Sequence, residues 1–172
     1  MKFRGDSLDK ELVFNFFWLF SSFEGALIDE GYFRADLVRA EVDWNKFDEE
    51  IDPELEKLKE SDHPAFFAAR RILVEHPPKR REIKSKSNTL SPQNISKNEF
   101  EARWMKQTKN PRVSGSLFAL RMVRNVRNNL FHGGKRSGEV ERNTQLIQAA
   151  LEVISTCAGL REGIRARLPY AA

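Results

Sequence analysis

The side chains of this chain best suited to chemistry lie between positions 121 and 132: Arg121, Arg124, Arg127, Asn128 and His132. On a helix, at about 100° per residue, Arg121, Arg124, Asn128 and His132 share an arc of about 80°, opposite Ala119, Val123, Val126 and Leu130. Cations stacked on one stripe repel, so the stripe destabilises its helix unless an anion or an acidic partner compensates. Arg127 falls at the margin of the apolar arc, where packing and hydrogen bonds would hold its guanidinium. His132 sits in the last turn, where the negative end of the helix dipole favours imidazolium. Histidine exchanges protons near neutrality, and arginine binds phosphate oxygens in a bidentate fork. Together they suit phosphodiester chemistry. RNA carries its own nucleophile in the 2′-hydroxyl, so proton transfer and charge stabilisation suffice there. On spacing alone, the plainer reading of His132 is a helix C-cap.

The stripe needs elements to hold it. Ser114 caps the helix, with Leu117, Leu120, Val123, Val126 and Leu130 on its apolar side and Gly133-Gly134 ending it. From Leu8 to about Glu30, the residues Leu12, Val13, Phe16, Phe17, Leu19, Phe20, Phe23, Leu27 and Ile28 recur at spacings of three and four, a long helix opened by Asp6 or Ser7. Glu24 falls inside that apolar arc. It is either the acid of a structural salt bridge at a partly wet edge or the group that orients a cation of the site.

Asp43-Trp44-Asn45-Lys46-Phe47 reads as a capped short helix, with Asp52-Pro53 starting the next turn. A helix follows from Asp62-Pro64 to about Glu75, closed by His76-Pro77-Pro78. Residues 76–98 form a polar, basic loop or hairpin whose Lys79, Arg80, Arg81, Lys84 and Lys86 either guide nucleic acid or are simply solvated. A short segment surrounds Phe100 and Trp104, and a final helix runs from about Glu139 to Gly159. No strand pattern of comparable length appears. The expected fold is all-α: an up-and-down bundle of four to five helices in one domain, 1–172, with a long irregular insertion.

Composition narrows the setting. The chain has 172 residues, 40% hydrophobic and 31% charged, too apolar for disorder and too charged for a membrane protein. Its net charge of +4 hides a division: residues 1–62 carry 8 basic and 17 acidic side chains, and residues 63–172 carry 21 and 8. The basic half is the one to search for an anionic partner. One cysteine, Cys157, and three scattered histidines exclude a disulfide framework and an ordinary zinc site, so no metal or cofactor is expected. The uncharged run Leu12 to Phe23 is shorter than the roughly 20 residues a bilayer span needs, and balanced charges before it do not suit an export signal. A cytoplasmic protein without membrane attachment is expected.

The string Val126-Arg127-Asn128-Asn129-Leu130-Phe131-His132-Gly133-Gly134-Lys135 resembles the signature of HEPN domains, in which an arginine, usually followed by a polar residue, precedes a histidine by four to six positions. Phe17 to Leu27 with Gly31-Tyr32 resembles the aromatic first helix of that family, as does Asp43 to Phe47 after it and Asn143 to Leu151 for its last helix. The similarity leaves out residues 76–112. It implies a helical bundle paired as a homodimer, with two arginine–histidine motifs at one cleft. Many such domains are metal-independent endoribonucleases, serving as toxins of toxin–antitoxin pairs or in antiviral defence, and others only bind nucleotides or partners.

Carried onto this chain, Arg127 would stabilise the pentacoordinate phosphate, His132 would act as acid or base, and Asn128 would position the phosphate or His132. Arg121, Arg124 and Lys135, outside the core motif, are assigned to the RNA backbone. The expected partners are RNA, a second copy and an antitoxin or regulatory protein. The alternatives are a HEPN-like module without nuclease activity and a purely structural helical adaptor, which leaves the cationic stripe unexplained.

Overall fold

The computed structural model describes residues 8–35, 40–75, 114–131 and 140–169. The basic insertion at 76–98, the segment around Phe100 and Trp104, His132, the Gly133-Gly134 stop and Lys135 lie outside the described residues. Within them the chain is helical: α1 (Lys10–Asp29), α2 (Trp44–Lys57), α3 (Pro64–Glu75), α4 (Gly115–Phe131), α5 (Val140–Gly159) and the single turn α6 (Glu162–Arg165). The only extended pairing among these residues is one bridge, Phe33 to Val42.

The start of α1 differs from expectation. Asp9 is the N-cap, its carboxylate accepting from the Glu11 and Leu12 amides at 2.9 and 3.4 Å, so the helix opens after Asp6 and Ser7. At the other end Gly31, at φ +88°, adopts the left-handed conformation that lets its own amide reach Ile28 O and the Tyr32 amide reach Leu27 O. The Phe33–Val42 bridge and the Asp43 amide on Tyr32 O then return the chain to α2.

A single helix, α2, spans Trp44 to Lys57, where two starts were expected. Asp43 caps it by accepting from the Lys46 amide at 3.1 Å, and Pro53 lies inside it. An interior proline costs about 3 kcal/mol in lost bonding and crowding. Phe47, Ile51 and Leu55, all essentially inaccessible, lie on both sides of Pro53 and outweigh that cost, each contributing about 1.5–3 kcal/mol by burial.

The last helix of any length, α5, is central, packing against α1, α3, α4 and α6. It buries Leu146, Ile147, Ala149, Ala150, Val153, Ile154, Cys157 and Ala158. On α1 the buried set is Phe16, Leu19, Phe20, Phe23, Ala26 and Leu27, joined by partly buried Leu12, Val13, Phe17 and Ile28. By length and composition α1 would also qualify as a membrane span, but its buried side chains belong to the shared core. Ser114 caps α4 as expected, its Oγ accepting from the Leu117 amide at 3.0 Å while donating to the Asp52 carboxylate. That second bond ties the start of α4 to α2.

Candidate active site

Helix α4 presents its cationic side chains to α1 and α2. Ala119, Leu120, Val123 and Val126 are buried and fix its rotation, so Arg121, Arg124 and Arg127 emerge at the edge of the core. Asp48 of α2, 3% exposed, meets the first two. Arg121 Nε donates to Asp48 Oδ2 at 2.9 Å; Arg124 Nη2 donates to the same oxygen at 3.0 Å and its Nη1 to Oδ1 at 3.3 Å. One carboxylate thus takes a fork from Arg124 and a third bond from Arg121. Asp48 is the acidic partner that the stripe required.

Beneath the arginines lies an aromatic floor. The Arg124 guanidinium sits 4.7 Å from the Trp44 ring centre, and that of Arg127 sits 5.7 Å from Phe20. The two rings are themselves 6.2 Å apart, and Phe23 continues the floor at 6.5 Å from Trp44. A guanidinium over an aromatic face is stabilised by about 0.5–2 kcal/mol and held in one plane. Arg127 Nη1 also donates to Asn128 Oδ1 at 3.2 Å.

Glu24 completes the arrangement. Burial pushes its carboxyl above the ordinary value, and the positive charge of Arg127 pulls in the opposite direction. The acid inside the apolar arc of α1 therefore acts on the arginine of the motif. Deeper in, burial and then the Asp48 charge push the Cys157 thiol up to about 12, so it stays protonated.

The structure thus brings together Glu24, Arg127 and Asn128, with Arg121 and Arg124 next to them on Asp48. His132 and Lys135 lie outside the described residues. The assignment of Arg121 and Arg124 to the RNA backbone meets a competing role: their charge is shared with a buried carboxylate, Arg124 is 19% exposed and Arg121 37%. Asn128 Oδ1 accepts from Arg127, while His132, one of the two groups proposed for Asn128, lies outside the described residues.

Sequence reasoning missed Asp48, yet the test applied to Glu24 would have found it. Trp44, Asp48, Ile51 and Leu55 recur at spacings of four, three and four, which puts the carboxylate on the apolar stripe of α2. Among the described residues no three His, Cys, Asp or Glu side chains converge as metal ligands. No protein-family model, curated protein or solved structure matches this chain.

Proposed function

We propose that this chain is a metal-independent endoribonuclease of HEPN type, an up-and-down helical bundle acting as a homodimer. The observation that carries the reading is the mounting of Arg127, over Phe20 at 5.7 Å and bonded to Asn128 at 3.2 Å, with its charge felt by Glu24. An arginine so held is a preorganised donor for a phosphate whose charge grows in the transition state. His132 follows five positions later in sequence.

The 2′-hydroxyl attacks the adjacent phosphorus, giving up its proton to a base, while the P–O5′ bond breaks and the leaving oxygen takes a proton from an acid. His132 supplies one of these transfers and the partner subunit's His132 the other. Arg127 neutralises the equatorial oxygens. A toxin or antiviral role, with an antitoxin or regulatory protein as partner, fits a nuclease of this kind in the cytoplasm.

RNA cleavage on denaturing gels tests the reading. Wild type should leave 2′,3′-cyclic phosphate and 5′-hydroxyl ends, should tolerate EDTA and should spare DNA. His132→Ala should lose about 10²- to 10⁴-fold in rate and Arg127→Ala about 10²-fold or more. Full activity in pure, folded His132→Ala, or cleavage abolished by EDTA and restored by a divalent ion, refutes it. The second reading, a HEPN-like module that binds nucleotides or partners without cutting, is favoured by the pairing of Arg121 and Arg124 with Asp48, which leaves less unpaired charge on the stripe for RNA. An inert wild type on every RNA tried would put it first.

A further inference from the structure

We infer that Trp44 is a positioning residue for Arg127, acting through the ring of Phe20. Its consequence for activity rests on the ribonuclease reading; its consequence for the geometry of Arg127 does not. A guanidinium is flat, and its N–H donors point outward in its plane, so whatever fixes that plane decides where the fork aims. One face of Arg127 lies over Phe20, 5.7 Å from the ring centre. The orientation of the Phe20 ring therefore sets the direction in which Arg127 can donate to a phosphate.

Phe20 is buried, and among the described residues two rings lie against it. Phe16, 5.9 Å away and tilted by 49°, stands one turn earlier on α1 and moves with that helix. Trp44, 6.2 Å away and tilted by 34°, comes from α2 and so fixes the ring against a second element. Trp44 is itself closely held. The Asp43 carboxylate caps α2 and the Asp43 amide donates to Tyr32 O, which places Trp44 as the first residue of the helix. Phe23 and Phe47 lie 6.5 and 6.4 Å from its ring, the second nearly edge-on at 70°. The Arg124 guanidinium covers it at 4.7 Å.

The two stacks separate two like charges. Arg124 and Arg127 are three positions apart on α4, a spacing that makes them neighbours on the helix surface. Each has its own ring: Arg124 lies over Trp44 and gives its edge to Asp48, while Arg127 lies over Phe20 and gives Nη1 to Asn128. Without the indole, Arg124 loses its ring and Phe20 gains room to turn. The Arg127 guanidinium then samples several planes, and the preorganisation that favours a charged transition state is lost. A role in core packing alone would cost stability and leave Arg127 as it was.

Arginine side-chain NMR on the full chain, without RNA, reads the mounting directly. The Arg127 Nε–Hε signal, assigned by its absence from Arg127→Lys, should be displaced by the Phe20 ring current in wild type. Trp44→Met should move it toward the position of a free arginine, and Trp44→Phe, which keeps a ring, should move it less. Phe66→Leu, a change to the buried face of α3, should lower stability and leave the signal in place. With RNA, Trp44→Met should lower kcat at least about tenfold while KM changes less than about threefold, and Trp44→Phe should recover most of the loss. An Arg127 signal unmoved in both Trp44 variants overturns the inference. So does a Trp44→Met protein with wild-type kcat, or an equal kcat loss in Phe66→Leu well below its Tm. If Trp44→Met does not fold, an unmoved signal in Trp44→Phe overturns it alone. Wild type inert on RNA defeats the ribonuclease reading, and the signal still decides the role of Trp44.

Discussion

Replacing Asp48 by asparagine keeps the volume of a buried side chain and removes its charge, which isolates the energetics of the arginine cluster. The carboxylate accepts three charge-assisted hydrogen bonds at 2.9, 3.0 and 3.3 Å. Such bonds contribute about 1.5–3 kcal/mol each, against about 1 for neutral ones. An amide offers one acceptor oxygen and turns two N–H donors toward the Arg124 fork, so that fork cannot re-form. Arg121 is more exposed and recovers hydration, so its share is discounted.

The expected loss is about 2–4 kcal/mol for Asp48→Asn and about 3–5 for Asp48→Ala, which leaves two guanidiniums at a buried site. For a chain of this length about 3 kcal/mol lowers Tm by roughly 6–12 °C. Urea denaturation of wild type, Asp48→Asn, Arg121→Gln and the double variant measures both the loss and its coupling to Arg121. Because Arg127 stacks on Phe20 and bonds Asn128 rather than Asp48, RNA cleavage well below the variant's Tm should fall less than about tenfold. An Asp48→Asn protein within about 0.5 kcal/mol of wild type would refute the reasoning.

Glu24 titrates with a raised folded pKa, so its stabilising contribution is complete below the ordinary value of 4.5 and is lost as pH rises through the folded one. Glu24→Gln should therefore gain stability relative to wild type between pH 4 and 7 while RNA cleavage falls; a relative loss over that range, by urea denaturation, contradicts this. Cys157, inaccessible and with its thiol pushed up to about 12, should resist a thiol-specific reagent at pH 8 until the protein unfolds. RNA affinity should fall steeply with salt, and neutralising Lys79, Arg80, Arg81, Lys84 and Lys86 should flatten that dependence. Arg121→Gln should change it little, since that guanidinium is shared with Asp48; a slope change equal to that from neutralising Lys79 argues otherwise.

The local features of the fold were legible because they repeat at short range. Phe16, Phe20, Phe23 and Leu27 betray α1 by spacing, Ser114 announces α4, and Pro64 opens α3. Pro53 misled because a local rule was outweighed by burial on both sides of it. Asp9 displaced Asp6 and Ser7 as cap, a choice among neighbouring side chains of equal propensity. The pairing of Asp48 with Arg121 and Arg124 spans 73 and 76 residues, a separation no periodicity encodes. The stripe's need for an acid was visible, and so was an acid on the apolar face of α2, but no spacing matched the one to the other.

The split between an acidic first half and a basic second half takes on a different meaning once these pairs are in place. Glu60 meets Arg71, Asp48 meets Arg121 and Arg124, Glu54 meets Arg161, and Glu30 meets Arg167. In every one of these ion pairs the acid lies before residue 63 and the base after it. Part of the anionic partner sought for the basic half is thus the chain's own first half. Exposed pairs such as Arg71–Glu60 add little to stability, but they and Asp48 oppose mispacked arrangements that would set like charges together. Intramolecular pairing also sharpens the functional argument. A cation already held by a carboxylate is a poorer anchor for a passing phosphate, so the fork on Asp48 suits Arg121 and Arg124 to joining α4 to α2 more than to holding RNA.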